Sequence, residues 1–370
     1  MIETGLIYRN PKPHLYSRQA SFPSLVLLPS GEMLAAFAIG SGFESADQHT
    51  EFARSSDGGR TWRLVGPIFT DQAERPTSSN VRISHMPDGE LIAFGVRADR
   101  SRQDEGLTNP ETLGFVETDL ILLRSSDDGY TWQGPVTVTP PLVGPAFELC
   151  SPVIPLHDGR WLWPTSTWKG WSGENPSGMK AIALVSHDRG HTWPEYVEVM
   201  NGTAENVIYW EQKIVDLGDG RLLAVCWTHD LGAGADRPVH YAISEDYGRS
   251  FGPPRSTGLH GQTSTPIFLG NGRLVCIYRR TDKPGLWASY ARLVSDEWVN
   301  EAELPLWGHD RAGAANIVGG QNLSREFTTL KFGLPDGLRL PDGQVFAAFW
   351  CVEECLYVIR WFRIPAQPPA

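Results

Sequence analysis

A short run, Ser-x-Asp-x-Gly-x-(Thr/Ser)-(Trp/Phe), occurs four times in this 370-residue chain and limits its possible folds more than any other feature. The copies begin at Ser55, Ser125, Ser186 and Ser244, and their aspartates, Asp57, Asp127, Asp188 and Asp246, lie 70, 61 and 58 residues apart. A second repeat alternates with the first. Ser30-Gly31, Asp88-Gly89, Asp158-Gly159, Asp219-Gly220, Asn271-Gly272 and Asp342-Gly343 each separate two apolar, β-branched-rich runs. That pattern reads as a hairpin, because glycine accepts the positive φ that a tight turn requires. Self-similarity at a near-constant period marks a repeat architecture. Six units of paired hairpins, with little helical periodicity, predict an all-β fold: a six-bladed β-propeller of four-stranded antiparallel blades. After Gly343 only two strands remain, 344–352 and 356–364. The N-terminal Leu6-Ile7-Tyr8 is therefore expected to close the last blade and remove its free sheet edge.

Length alone, at roughly 150 residues per domain, suggests two or three domains. The hairpin glycines, spaced 58, 70, 61, 52 and 71 residues apart, leave no room for a second one, so residues 1–370 are expected to form one propeller domain. The 38 glycines and 14 tryptophans then serve its turns and its packing between blades. A net charge of -11, from 43 acidic against 32 basic residues, argues against nucleic acid as a partner, since such binders need a basic face to release counterions. No stretch approaches the roughly 20 apolar residues of a spanning helix, which argues against a membrane partner. The first residues show no secretory leader, and Cys150, Cys226, Cys276 and Cys351 sit in apolar contexts suited to reduced thiols, so a cytoplasmic location is expected. Cys351-x-x-x-Cys355 lacks a second pair, and H-E-x-x-H, EF-hand and glycine-rich phosphate loops are missing, so neither a metal nor a cofactor is expected.

The eight-residue run has a structural explanation of its own. Its Asp accepts backbone N–H bonds in a tight turn, its Gly takes the left-handed position, and its aromatic ring packs beneath the turn. Gly248-Arg249-Ser250-Phe251-Gly252 fits the G-x-S-x-G serine-hydrolase elbow. That elbow needs a strand-to-helix turn, whereas Ser250 occupies the Thr position of a repeat.

These four runs are Asp-boxes, and together with the hairpin segments around Asp158–Pro164 and Glu211–Leu223 they make the chain resemble the sialidase superfamily along nearly its whole length. The resemblance implies a site at the mouth of the central tunnel. A sialidase of this superfamily has three arginines that clamp the substrate carboxylate, for which bidentate guanidinium geometry is suited, along with a Tyr–Glu pair and an Asp acid/base. Matched position by position, Ser21 stands where the first arginine belongs, and Cys226-Trp227-Thr228-His229 occupies the place of the second. Tyr278-Arg279-Arg280 retains a candidate for the third, while Phe327 replaces the catalytic tyrosine. Cleavage of N-acetylneuraminate is therefore not expected.

Other elements of the machinery are retained. Glu211 matches the family glutamate on the inner strand of blade four, Asp47 falls where the blade-one loop carries the acid/base, and Glu148 enters blade three in a way that resembles the glutamate pair of exo-arabinanases. Asp47, Glu211 and Glu148 are thus the candidate catalytic residues. Carboxylates facing one another across a tunnel can act as acid and as nucleophile or base, with burial and like charge keeping one of them protonated. Arg280, Arg279 and Arg97 are candidate anion or hydroxyl binders, His229 and His49 candidate hydroxyl or proton partners, and Trp227 and Trp210 candidate sugar-stacking rings. The implied function is a glycoside hydrolase acting in exo mode on a small or terminal sugar unit, with a small carbohydrate or glycoside as partner. Two alternatives stay open: a non-catalytic propeller that binds a carbohydrate or protein, and a uronate-directed lyase built on Tyr209, His229 and Arg280.

Overall fold

In the computed structural model, which describes residues 2–71, 73–144, 146–310 and 330–369, six sheets surround a central tunnel. Each Asp-Gly, Asn-Gly or Ser-Gly pair turns the innermost strand of a blade into the second, and all six of these glycines have φ between 71° and 90°. At Asp219-Gly220 and Asn271-Gly272 both turn residues are left-handed, the two-residue turn that matches the twist of paired strands. Blade four shows the pattern: Val207–Gly218, Arg221–Asp230, Ala235–Ser244 and the short outer strand Arg255–Ser256. Among the described residues the one helix is a single 3-10 turn, Thr203–Glu205, and no helix is long and apolar enough to cross a membrane.

Blade six consists of Phe332–Arg339, Val345–Glu353 and Leu356–Ile364, with Glu3–Tyr8 paired antiparallel to its third strand. The N-terminal strand therefore closes the ring as the sequence implied. Backbone hydrogen bonding joins the first and last segments of the chain, and Leu356–Ile364 is paired on both sides at the seam.

The four Asp-boxes adopt one geometry. In the first, Ser55 Oγ donates to Asp57 at 2.8 Å, and the Thr61 N–H and hydroxyl donate to the same carboxylate at 2.9 and 2.6 Å. Ser250 Oγ likewise donates to Asp246, at 2.6 Å, so it is a turn brace and not a nucleophile. The box ring reaches the preceding blade: Trp62 meets Phe346, Trp132 meets Phe52 and Trp193 meets Phe94, at centroid distances of 6.1, 6.4 and 5.3 Å. Each of the six blade interfaces holds its own buried apolar cluster. A seventh cluster, built on Trp168, Trp210 and Trp227, lies toward the tunnel mouth.

Candidate active site

The innermost strands do not run evenly past the tunnel. In blades one, four, five and six the pairing with the second strand slips, between Ser21 and Ser24, Trp210 and Lys213, Gln262 and Thr265, and Gly333 and Asp336. In each case two residues oppose one, a β-bulge, and bulges re-aim side chains. The first extra residue is left-handed in all four: Phe22 at φ 56°, Glu211 at 46°, Thr263 at 51° and Leu334 at 41°. None is glycine, and for branched or bulky residues this conformation is strained. All four side chains line one cavity of about 90 Å³. The same backbone device, repeated in four blades, delivers one side chain per blade to a common point.

Blade three contributes in another way. Its innermost strand is broken into Ala146–Phe147 and Ile154–Pro155, and Glu148 and Cys150 occupy the gap. The Glu148 backbone is held in place by its N–H donating to the Ser166 carbonyl at 3.0 Å and by the Thr165 hydroxyl donating to its carbonyl at 2.7 Å. Its carboxylate accepts the N–H of Glu211 at 2.6 Å. Carboxyl oxygens of the two glutamates and the Cys150 sulfur lie within 4.8 Å of one another.

Burial raises Glu148 to about 8, with the charge of Glu211 adding to it. Burial also raises Glu211, to about 7, against the opposing pull of Arg279, Lys213 and Arg82. Glu211 is the more acidic of the two because cations surround it, so Glu148 is the member that keeps its proton. Burial and the two carboxylates push the Cys150 thiol well up. Three close donors could in principle hold a metal, but a protonated thiol among three cationic side chains is a poor donor set for one.

Arg279 lines the cavity from blade five. Its Nε and Nη2 donate to Gln262 at 3.0 and 2.6 Å, and its Nη1 donates to the Phe332 carbonyl at 3.1 Å. A Cβ on Gly333 would sit 2.7 Å from that guanidinium, so the absence of a side chain there makes room for it. Gln262 in turn donates to Asp236 at 2.6 Å, and Asp236 also accepts the Trp227 indole N–H at 2.8 Å. Below the mouth, Arg82 donates to the carbonyls of Phe22 and Pro23 at 2.8 and 2.7 Å, and Lys213 donates to the Cys150 carbonyl, bridging neighbouring blades. Much of the remaining wall is carbon: Phe22, Phe43, Trp350 and Leu334 on one side, and Phe115, Trp168, Trp210 and Trp227 on the other, with Thr108 and Thr263 among them.

Five of the ten sequence candidates therefore meet at one cavity: Glu148, Glu211, Arg279, Trp210 and Trp227. The others lie elsewhere. Asp47 accepts hydrogen bonds from the Ser41 N–H and hydroxyl, both at 3.0 Å, and braces its own loop. Burial pushes its carboxyl up, but bonds from Ser45 and Ser41 outweigh this and hold it below its ordinary value, which suits a brace and not an acid. His49 is bound to the Asp47 carbonyl and to Glu51. Arg97 pairs with Asp119 and Asp71 at 3.1 and 3.5 Å. Arg280, next to Arg279 on a strand, points to the opposite face and pairs with Asp282 and Glu303 over the Trp287 ring. His229 is buried behind Trp210, with Nδ1 2.8 Å from Asp236. The Tyr209, His229 and Arg280 set does not converge on the cavity. Phe327, at the expected tyrosine position, lies outside the described residues.

Sequence reasoning missed Phe22, Thr263 and Leu334. It placed Ser21 at the arginine position, whereas Ser21 is buried and accepts a bond from Gln48 at 3.3 Å, and the bulge turns Phe22 inward instead. Pro23 and Pro335, each directly after a bulged residue, were the local signal for a break in the ladder.

Residues 33–304 match the BNR repeat-like domain family. Over 250 residues the chain is 28% identical to a sialidase of Micromonospora viridifaciens, covering 62% of this chain and 35% of that one. The chain thus spans about a third of the length of the curated relative it matches. Among solved structures, a protein of unknown function from Dyadobacter fermentans aligns with a TM-score of 0.73 at 22% identity, over 98% of this chain and 97% of its own. Trypanosoma rangeli sialidase, solved with sialic acid, aligns with a TM-score of 0.63 at 13% identity, over 94% of this chain and 54% of its own. At these identities the structural likeness is one of fold.

Proposed function

The chain belongs to the BNR repeat-like family within the sialidase superfamily, and on that premise we propose that it is a glycoside hydrolase acting on a terminal sugar through Glu148 and Glu211. One observation carries this reading: two carboxyls within 4.8 Å of each other at an aromatic-lined tunnel mouth, both raised above the ordinary carboxylate range. A separation of no more than 4.8 Å is shorter than the roughly 6.5–9.5 Å of inverting glycosidases, which leave room for a water between the carboxyls, and it falls on the side of the roughly 5–5.5 Å of retaining ones. Glu148, which holds its proton to higher pH, protonates the departing glycosidic oxygen. Glu211 attacks the anomeric carbon and forms a glycosyl ester. Water, deprotonated by Glu148, then cleaves that ester, releasing the sugar with its configuration retained and restoring both carboxyls. Arg279 offsets the charge of Glu211 and helps keep it ionised.

N-acetylneuraminate is not the favoured substrate. Among the described residues a single arginine lines the cavity, and its guanidinium is committed to Gln262 and the Phe332 carbonyl. The dominance of carbon on the walls also suits a propeller that binds without cleaving, and one experiment separates the two readings. Glycosides of the common hexoses, pentoses and deoxyhexoses in both anomers are incubated with the protein, and product configuration is followed by NMR. Hydrolysis with retention, lost in both Glu148→Gln and Glu211→Gln, is the expected outcome. Binding without turnover, or full activity in both variants, would refute the hydrolase assignment.

A further inference from the structure

Five polar side-chain atoms around the cavity are buried without a hydrogen-bond partner: Thr108 Oγ1, Trp210 Nε1, Glu211 Oε2, Thr263 Oγ1 and Trp350 Nε1. Buried polar groups are ordinarily satisfied by protein, ordered water or ligand, and these five, among the several such atoms of the described residues, belong to residues that line a common space. Their chemistry is specific. An indole N–H only donates, so Trp210 and Trp350 each require an acceptor oxygen. A threonine hydroxyl both donates and accepts, so Thr108 and Thr263 suit sugar hydroxyls. Glu211 Oε2, a carboxylate oxygen, can accept from a sugar hydroxyl. They come from the blade-two loop and from blades four, five and six, so they ring the cavity and do not line one side of it.

That number of polar partners suits one hydroxylated ring. Much of the rest of the wall is carbon. Phe22, Phe43, Leu330 and Leu334 belong to the cluster between blades six and one, with Phe22 and Phe43 rings 5.4 Å apart and Phe43 5.3 Å from Trp350. A second sugar placed against that wall would lose water from its hydroxyls and gain no partner.

We propose that the substrate is a single sugar joined to an apolar, planar aglycone, with the five unpartnered atoms binding the sugar and the Phe22–Phe43–Leu330–Leu334 wall binding the aglycone. This rests on the hydrolase reading above for its chemistry and on the cavity alone for its specificity. The walls exclude water from the departing oxygen, and the aglycone leaves as an alcohol that takes its proton from Glu148.

The test compares benzyl glycosides of the common hexoses and deoxyhexoses, in both anomers, with the disaccharide that shares each glycone and configuration. Benzyl alcohol is a poorer leaving group than a sugar hydroxyl, so a preference for the benzyl compound cannot come from intrinsic reactivity. At least a tenfold higher kcat/KM for the benzyl glycoside is expected, equivalent to about 1.4 kcal/mol. Phe43→Gln should reduce that ratio below threefold, and Trp350→Phe, which keeps a ring but loses the N–H, should lower kcat/KM for benzyl glycoside and disaccharide alike. Disaccharides cleaved as well as or better than their benzyl counterparts would overturn the specificity while leaving the hydrolase reading intact. If no compound is cleaved, the hydrolase reading fails, and calorimetric titration of the same pairs decides the specificity. Tenfold tighter benzyl glycoside binding then supports it, and equal or absent binding overturns it.

Discussion

Replacing Glu148 with glutamine should make the protein more stable at alkaline pH while removing its proposed activity. A carboxyl raised on folding keeps its proton in the folded chain at pH values where the unfolded chain has already lost it. Stability therefore falls as pH climbs from the ordinary value of 4.5 through the raised one, about 8 for Glu148. Above that window both Glu148 and Glu211 are ionised, with carboxyl oxygens within 4.8 Å. At an effective dielectric constant of about 20, two charges at that separation repel by about 3.5 kcal/mol. Glutamine removes the repulsion, and its amide oxygen can still accept the Glu211 N–H that now donates to Glu148. An unfolding entropy of about 2.1 cal/mol/K per residue gives roughly 0.8 kcal/mol/K for this chain, so the gain is about 4–5 °C in Tm. Differential scanning calorimetry of wild type and Glu148→Gln at pH 5 and pH 9 measures it. Near-equal Tm at pH 5 and a variant more stable by several degrees at pH 9 are expected. The loss of a general acid lowers turnover by about 10²–10⁴-fold. Parallel Tm profiles for the two proteins would show that the carboxyls do not share a low-dielectric site, and the reasoning for an acid–nucleophile pair would fail with them.

Arg279→Ala should abolish turnover, or weaken ligand binding at least tenfold, whereas Arg280→Ala should leave both within twofold, because consecutive residues on that strand face opposite sides and only Arg279 reaches the cavity; steady-state kinetics and calorimetric titration of both variants check this. Burial raises Glu44 to about 7, against the Leu107 N–H and Arg100, so stability is lost as pH rises from 4.5 through 7. Glu44→Gln should remove about 3 kcal/mol of that loss, read as a smaller fall in Tm between pH 5 and pH 8.5 than in wild type.

What was legible in the sequence was local. A hairpin glycine or an Asp-box needs only its own eight residues to fix its geometry, so the six blades and the turn role of Ser250 could be read from adjacent letters, and the strand count after Gly343 then pointed to the N-terminal strand as the one that closes the ring. Glu211 was within reach through the resemblance to the sialidase superfamily, and Trp210 and Trp227 through their places beside the same hairpin. The direction of a side chain was less accessible. Strand alternation puts Arg279 and Arg280 on opposite faces but does not say which face is the tunnel. Asp47 stood at the acid/base position that the sialidase resemblance implies, yet whether a loop carboxylate reaches substrate or ties down its own backbone depends on a turn closed by Ser41 and Ser45.

The chain by itself therefore determined the propeller and its closure, because turns encode the hairpins within short windows and the count of hairpins leaves one strand to be supplied. Only the tertiary structure decided the site. The bulges at Phe22, Glu211, Thr263 and Leu334 reset the alternation by one residue and turn inward side chains that a regular strand would point elsewhere. The pairing of Glu148 with Glu211, 63 residues apart, exists because one inner strand breaks beside another that bulges. Their raised pKa values arise from burial and from cations on other blades. Such effects depend on which blades are neighbours in space, and no local run of residues specifies that.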